Sequence, residues 1–362
     1  MGIAPCPPLA KKTQNNMKKK ILIFLAILLL PAVALRTAAQ RTGVYAVAFY
    51  NLENLFDTDD DPQNPGDDEF LPDGPYQWTP DKYRQKLKNM ASTLARLARE
   101  NCPGGPAAIG ISEVENERVV KDLLATEPLA SMGLSYVHYE SPDRRGIDVA
   151  LLYNPKLFRL RSSHPYPYRL ESNPSYVTRD QLLVSGTLAG EPVSIIVNHS
   201  SRYGGGKSNP LREAAARLCL HIADSIRQAN PAEKIIIMGD LNDDPTDPSC
   251  AEVLKAARTK KEARTTGFFN ATWPLYAKGI GSLCYQDVWC LYDQQIISSN
   301  FLNRTAETLT FWKAEVFNRE FLITPSGKKK GYPLRSFDGT RWQNGYSDHF
   351  PTITYYVKQL EE

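Results

Sequence analysis

Polar residues suited to metal and phosphate chemistry cluster at five places in this sequence, four of them directly after an apolar run. Asn51 follows the run 44–50, Glu113 follows the run 107–112, and Asn198-His199 follow the β-branched run 193–197. The other two places are the Gly-Asp-Leu-Asn segment 239–242 and the Ser-Asp-His segment 347–349. Loops at strand ends present side chains while the sheet holds them rigidly. The five clusters are therefore candidates for one site, although each alone also fits an ordinary turn or solvated loop.

The side-chain types indicate what such a site could do. Carboxylates, amides and imidazoles without a thiolate suit a hard cation such as Mg²⁺ or Mn²⁺. A cation acting as a Lewis acid, a His or Asp acting as a base, and amide donors around a phosphate form a phosphoester-cleaving site. Alternation places Asp240 and Asn242 on the same side of an extended segment. Gly239 allows another group to approach the backbone closely.

The elements that must position these residues follow from the apolar pattern. We expect strands over 44–50, 107–112, 193–198 and 235–238, and long helices that begin at Pro80 and near Asn209. The composition is that of a globular protein, 42% hydrophobic and 23% charged, which excludes a disordered or collagen-like chain. No linker divides 40–362, so we expect a single domain there. Strands outnumber helices, which favours two mixed sheets facing each other with helices outside.

The first 39 residues are typical of an export signal. Three lysines follow Met17, and the ten residues 21–30 are all apolar. Small residues follow, and cleavage after Ala39 fits the pattern. Met17 is an alternative start of the chain, and an uncleaved membrane anchor is the alternative to a cleaved signal. We expect an exported, periplasmic or extracellular protein.

Charge and cysteine content limit the possible partners. The net charge is +3, but residues 1–39 hold six basic residues and no acidic one, so the remaining chain is close to −3. A general polycation that coats nucleic acid is thereby excluded. Five of the six cysteines follow the leader, with no zinc-binding spacing. A Cys284–Cys290 disulfide and buried free thiols both remain open.

The five clusters, taken in order, resemble the endonuclease/exonuclease/phosphatase superfamily over residues 45–357. The segments Tyr-Asn-Leu-Glu-Asn-Leu-Phe-Asp, Arg-Arg-Gly-Ile-Asp-Val-Ala-Leu-Leu-Tyr and Asp-His-Phe-Pro are similar to its exported bacterial branch. The superfamily includes pancreatic-type deoxyribonuclease, apurinic-site endonuclease, inositol polyphosphate 5-phosphatase and neutral sphingomyelinase. The resemblance implies a four-layered α/β/β/α sandwich with two mixed β-sheets and a divalent metal, Mg²⁺ or Mn²⁺, at one end of the sheets.

The resemblance also implies roles for the metal-binding and water-binding residues. Glu113 is expected as the principal metal ligand, with Asn51 and Asp348 near the same ion. Asp240 and Asn242 are expected to hold the attacking water and the scissile phosphate. No covalent enzyme intermediate is needed, because an activated water attacks phosphorus directly.

The two histidines have expected roles of the same kind. His349 is expected to contact the phosphate or to activate water, paired with an Asp at the start of a late strand. Asp293 is the best match for that partner, and Asp287 is its rival. His199 is the candidate acid for the leaving oxygen.

Phosphate contacts are expected from Arg179 and Asn198. Arg145 and Asp148 are weaker candidates for the site. The Gly-rich loop 202–207 follows His199 and either covers the substrate or is simply a solvated loop.

The expected substrate is DNA or RNA, cleaved by an exported endonuclease that needs no nucleotide cofactor and acts as a monomer. The alternative is a phosphoesterase for lipid head groups or small phosphates, similar to a sphingomyelinase or an inositol phosphatase. Tyr166, Tyr168 and Tyr176 could then touch a membrane or stack on bases, although packing is the commoner fate of such residues. A non-catalytic binding protein is the third possibility.

Overall fold

The computed structural model describes residues 42–170, 172–202, 209–303, 305 and 307–360, together with Gly2. Thr42–Leu360 form one compact unit. The expected export signal lies outside the described residues, as does the Gly-rich loop apart from Arg202. Within the part that is described, no helix combines the length and the apolar character needed to cross a membrane.

Strands and helices alternate along this unit. In chain order the strands are β1 (Thr42–Leu55), β2 (Ala108–Val114), β3 (Ser135–His138), β4 (Asp148–Tyr153), β5 (Phe158–Tyr166), β6 (Gln181–Leu188), β7 (Glu191–His199), β8 (Lys234–Asp240), β9 (Phe268–Asn270), β10 (Leu283–Tyr285), β11 (Val288–Cys290), β12 (Asp293–Ser298), β13 (Thr310–Val316), β14 (Phe337–Asp338), β15 (Arg341–Trp342) and β16 (Thr352–Gln359). The α-helices are α1 (Pro80–Arg96), α2 (Glu117–Ala125), α3 (Asn209–Ala229), α4 (Lys260–Thr266) and α5 (Trp273–Tyr276).

Two mixed six-stranded sheets form the centre of the fold. The first has the order β13-β16-β1-β2-β4-β3, and the second has the order β5-β6-β7-β8-β12-β9. Each sheet contains one parallel pair, β1 with β2 in the first and β7 with β8 in the second. The remaining neighbours are antiparallel. Two short hairpins, β10-β11 and β14-β15, stand apart from the sheets.

Alternation along the central strands builds three apolar layers. In β1, Val47 and Phe49 pack between the two sheets, whereas Ala48 and Tyr50 pack on the side of α1. In β8, Ile236 and Met238 lie between the sheets, and the neighbouring isoleucines pack with residues of α3. Central strands that are buried on both faces read as continuous apolar runs. The predicted four-layered α/β/β/α sandwich is confirmed.

Local sequence fixes the helix ends. The Thr79 side chain accepts a hydrogen bond from the Lys82 amide, and Pro80 occupies the first turn of α1, an arrangement that suits both residue types. The Asn116 side chain caps α2 in the same way. Residues Ser249–Val253 form a single π-helical turn.

The structure shows the state of the cysteines and the contacts of Tyr168 and Tyr176. All five cysteines among the described residues are free, including Cys284 and Cys290. Tyr168 is buried, and its hydroxyl donates to the Leu211 carbonyl. The Tyr176 hydroxyl donates to Ser201. These two tyrosines therefore pack and bond within the protein.

Candidate active site

A cleft of about 870 Å³ opens where the parallel strand pairs of both sheets end. Seven of the predicted site residues line it: Glu113, Arg179, His199, Asp240, Asn242, Asp348 and His349. Asn51 and Asp293 lie directly behind this wall, because each of their side chains bonds to one of those residues. The strand ends thus bring nine of the ten predicted residues to one place.

Irregular backbone at two strand ends aims side chains into the cleft. The pairing of β2 with β4 shifts register between Ser112 and Val114, and Glu113 between them has a φ of 60°. The pairing of β1 with β2 is interrupted after Asn51, where Glu53 and Asn54 also have positive φ. Such conformations are uncommon outside glycine, and they cluster at functional sites.

Gly239 permits the close approach of β7 and β8. A Cβ atom at this position would lie 1.8 Å from the carbonyl oxygen of Asn198, and the φ of Gly239 is 156°. No other residue type fits that contact. The glycine therefore sets the position of Asp240, the next residue.

Asp240 is the central carboxylate of the cleft. Its Oδ2 accepts a 3.0 Å hydrogen bond from Asn51, and its Oδ1 accepts one from the Asn242 backbone amide at 3.0 Å. Burial raises the pKa of Asp240 to about 6. The Asn242 side chain donates to the Ser200 carbonyl and so fastens the segment that follows His199.

His349 is oriented by a buried carboxylate. Its Nδ1 lies 2.6 Å from Oδ2 of Asp293, the first residue of β12. Its Nε2 lies 3.8 Å from Oδ2 of Asp240 and 3.9 Å from Oδ1 of Asp348. Burial opposes a charge on the ring, but Asp293 and then Asp240 outweigh burial and raise the pKa of His349 well above its usual value. The rival Asp287 instead accepts a hydrogen bond from Tyr332.

Glu113 carries a stable negative charge. Arg145 lies 3.2 Å from its Oε1, and the Asn54 amide donates to its Oε2 at 2.9 Å. Burial alone would raise the pKa of Glu113, but Arg145 and then His199 outweigh burial and hold it well below its usual range.

His199 faces the same two carboxylates from the second sheet. Its Nε2 lies 3.8 Å from Glu113 and 3.7 Å from Asp240. Its Nδ1 is buried and has no hydrogen-bond partner among the described residues. Burial, followed by the charge of Arg179, lowers the pKa of His199 well below its usual value. The ring is therefore neutral near pH 7.

The two expected phosphate contacts have different positions. The Arg179 guanidinium is buried at the cleft wall, where it donates to the carbonyls of His199 and Ser200 and pairs with Asp143 at 2.9 Å. The Asn198 side chain points away from the cleft, toward Ser200 Oγ and Cys219. Arg179 thus braces the site, and the structure does not bring Asn198 to it.

Sequence reasoning missed Arg335, which lines the cleft. Its Nε lies 2.8 Å from Oε1 of Glu53, and its Nη2 lies 3.2 Å from Oδ2 of Asp348. Lys86, fully buried, lies 3.8 Å from the other oxygen of Glu53. Arg335 precedes a short hairpin and ends no apolar strand, so the strand-end pattern gave no signal for it. Of the two weaker candidates, Arg145 reaches Glu113, whereas Asp148 is bonded to His138.

The donor set fits a hard divalent cation. Glu113, Asn51 and Asp348 offer carboxylate and amide oxygens, and two arginines already supply positive charge to the two carboxylates. Oxygen donors of this kind suit Mg²⁺ and Mn²⁺. Asp240, Asp293 and His349 also lie close enough to hold an ion, but Asp293 is already engaged with the His349 ring.

Solved structures share this fold at low sequence identity. Humanized D. rerio TDP2 with 14 mutations aligns with a TM-score of 0.54 at 13% identity, covering 86% of this chain and 98% of that one. An endonuclease/exonuclease/phosphatase family protein from Bacteroides thetaiotaomicron aligns with a TM-score of 0.54 at 15% sequence identity, covering 89% of this chain and 98% of that one. The mannosyl-6-phosphatase of B. thetaiotaomicron VPI-5482 aligns with a TM-score of 0.51 at 14% sequence identity, covering 86% of this chain and 99% of that one. Identities this low establish a common fold and leave the substrate open.

Sequence comparison gives the family directly. No curated protein sequence matches the chain significantly. The model of the endonuclease/exonuclease/phosphatase family matches residues 46–358, which span all five polar clusters and both sheets. The chain therefore belongs to the endonuclease/exonuclease/phosphatase family.

Proposed function

We propose that this protein is an exported, Mg²⁺- or Mn²⁺-dependent hydrolase that cleaves phosphodiester bonds with an activated water. One observation carries the proposal: the Asp293–His349 pair faces Asp240 in a cleft that also holds Glu113 and Asp348. These groups can bind a cation, accept a proton and contact a phosphate at the same time.

A cation bound by Glu113, Asn51 and Asp348 would stabilise the negative charge that develops on the phosphate oxygens. Asp240 is placed to hold the attacking water and to accept its proton, because Asn51 and the Asn242 amide fix its orientation. His349 keeps a proton on Nε2 and can donate it to a phosphate oxygen.

His199 completes the arrangement from the other sheet. Its Nε2 lies within 4 Å of both Glu113 and Asp240, so the imidazole can reach an oxygen of a phosphate bound between them. We propose that the neutral ring carries its proton on this nitrogen and donates a hydrogen bond to the leaving oxygen, which then takes its proton from water. Arg179 holds the His199 carbonyl and so keeps the ring in place.

Nucleic acid, DNA or RNA, is the first candidate substrate. The order of the five clusters and the His199-Ser-Ser-Arg segment support it through the resemblance to secreted deoxyribonucleases. Arg202 stacks over the Tyr285 ring at 5.3 Å, on the wall of the cleft. An aromatic ring beside a guanidinium is suited to stacking on a base.

A small phosphoester is the second candidate, and the charge pairing favours it. Four of the five arginines that line the cleft are paired with carboxylates of the protein, namely Arg145 with Glu113, Arg179 with Asp143, Arg212 with Asp243 and Arg335 with Glu53. Next to the cleft, a cavity of about 520 Å³ is lined by five carboxylates and Arg144. Long polyanions bind through many unpaired cations, whereas a compact phosphoester needs few.

A parallel assay tests the proposal. Plasmid DNA, RNA, sphingomyelin and bis-p-nitrophenyl phosphate are each incubated with the protein in Mg²⁺, in Mn²⁺ and in EDTA. Asp240→Ala serves as the inactive control, and Asp244→Ala serves as a matched variant outside the cleft lining. We expect metal-dependent cleavage that Asp240→Ala abolishes. Absence of cleavage of all four substrates, or cleavage that persists in EDTA, contradicts the proposal.

A further inference from the structure

A second cavity adjoins the catalytic cleft and shares part of its wall. Its volume is about 170 Å³, and it is referred to below as the side pocket. Asn54 and Arg335 line both the side pocket and the cleft. Nothing in the proposed hydrolysis of the phosphate uses this space.

Four aromatic side chains line the side pocket: Phe70, Tyr76, Trp78 and Phe337. Tyr76 stacks on Phe70 with ring centroids 4.8 Å apart and lies 4.8 Å from the Phe337 ring. The Trp78 indole is almost fully buried and donates to the Phe56 carbonyl at 3.0 Å. The wall is therefore rigid before any ligand arrives.

The polar rim connects the side pocket to the candidate metal ligands. The backbone amide of Asn54 donates a hydrogen bond to Glu113, and the side-chain oxygen of Asn54 accepts one from Arg145 at 2.7 Å. Arg335 bonds to Asp348 on one side and to Glu53 on the other. A phosphate bound to a cation that Glu113 and Asp348 hold would thus have the side pocket as its immediate neighbour.

The size and the lining define what the side pocket can hold. An apolar cavity of about 150 Å³ accommodates benzene, so a volume of about 170 Å³ fits one six-membered ring. Aromatic walls favour planar rings through stacked and edge-to-face contacts. Asn54 and Arg335 line the rim, and their side chains carry further N–H donors that can bond to substituents on that ring.

We propose that the side pocket binds one planar ring of the substrate, attached next to the phosphate that is hydrolysed. The inference rests on the proposed function, because it assumes a phosphate bound to the cation that Glu113 and Asp348 would hold. A nucleobase and the ring of an aryl ester share this chemistry. The site thereby selects phosphoesters that carry such a ring over those that carry only an alkyl chain.

Direct binding tests the inference without relying on turnover. Isothermal titration calorimetry in Mg²⁺ measures the Kd of methylphosphonate, cyclohexylphosphonate, phenylphosphonate and thymidine 5′-monophosphate for the whole protein. We expect phenylphosphonate to bind at least tenfold more tightly than methylphosphonate, with cyclohexylphosphonate close to methylphosphonate. Tighter binding of thymidine 5′-monophosphate than of phenylphosphonate identifies the ring as a nucleobase. Tighter binding of phenylphosphonate identifies it as the ring of an aryl ester.

Substitutions in the wall of the side pocket test whether the tighter binding of phenylphosphonate arises there. Tyr76→Leu keeps most of the side-chain volume but removes the ring, and we expect it to reduce the phenyl-to-methyl affinity ratio to below threefold. Phe337→Leu is the second variant, in case Tyr76→Leu does not fold. Tyr139→Leu removes an exposed tyrosine outside both cavities and should leave the ratio unchanged.

Two results overturn the inference. One is a wild-type ratio near one, and the other is a tenfold ratio that both aromatic variants retain. If either occurs while bis-p-nitrophenyl phosphate is still hydrolysed, the side-pocket assignment alone fails. If no phosphonate binds and no phosphoester is cleaved, the proposed function fails with it.

Discussion

Replacing Asp293 with Asn tests whether the pairing with His349 matters for catalysis. Asp293 is fully buried, and its Oδ2 lies 2.6 Å from Nδ1 of His349. The substitution keeps the size of the side chain and the backbone pairing of β12 with β8. It removes the negative charge that orients the ring and keeps it protonated.

The expected loss of kcat follows from the strength of the hydrogen bond between Asp293 and His349. A hydrogen bond between a charged acceptor and its donor contributes about 1.5–3 kcal/mol. Since about 1.4 kcal/mol corresponds to a tenfold change in rate, loss of the full contact in the transition state lowers kcat by roughly 10- to 150-fold. The melting temperature should change much less than the rate, because the fold retains the buried amide.

Steady-state kinetics with the best phosphoester substrate in saturating Mg²⁺ measures this effect. Asp287→Asn is the matched control, since Asp287 lies in the β10-β11 turn and bonds to Tyr332 instead of His349. We expect its kcat to stay within twofold of the wild type. Equal losses in both variants, or an Asp293→Asn enzyme with more than half of the wild-type kcat, would refute the reasoning.

Three further results are expected. Glu113→Gln should abolish both metal-dependent hydrolysis and any rise in melting temperature on adding Mg²⁺, while circular dichroism stays unchanged; a retained Mg²⁺-induced rise would argue against Glu113 as a ligand. Burial raises the pKa of Glu115 to about 8 from its ordinary 4.5, so the folded state keeps a proton that the unfolded state releases between these pH values, and stability declines as pH rises through that window. Glu115→Gln should therefore lose less stability between pH 5 and pH 8.5 than the wild type in urea denaturation, and parallel pH profiles would contradict this. Gly239→Ala places a methyl group 1.8 Å from the Asn198 carbonyl, and overpacking of this kind costs about 1–3 kcal/mol or more, which urea denaturation would show as a lower midpoint.

The central strands could be predicted because a strand that is buried on both faces is apolar at nearly every position. The run 235–238 is wholly apolar, and the strand there extends only a little further, over Lys234–Asp240. The strands Phe158–Tyr166 and Thr310–Val316 were not predicted. Each lies at the edge of its sheet, where solvent-facing polar and charged residues interrupt the apolar alternation.

The site could be predicted in part, for a related reason. Strand ends mark Glu113 and Asp240, because apolar runs stop there, whereas His349 lies shortly before a strand, Thr352–Gln359. Asn198 and His199 are neighbours on one strand, and alternation sends their side chains to opposite faces. That rule alone could have shown that only one of the two reaches the cleft. Arg335 enters through a tertiary contact with Glu53, 282 residues away, which no local pattern reports.

The cleft is assembled from both sheets, and this determines when it can first exist. Asn51 and Asp240 are joined by a hydrogen bond across 189 residues of sequence, and His349 comes from a segment near the end of the chain. Contacts between such distant residues form late in folding, because loop closure must come first. A nascent chain therefore contains no complete site until residue 349 has been synthesised and the two sheets have docked. If the proposed export carries the chain across the membrane before it folds, the phosphoesters of its own cell never meet a complete site.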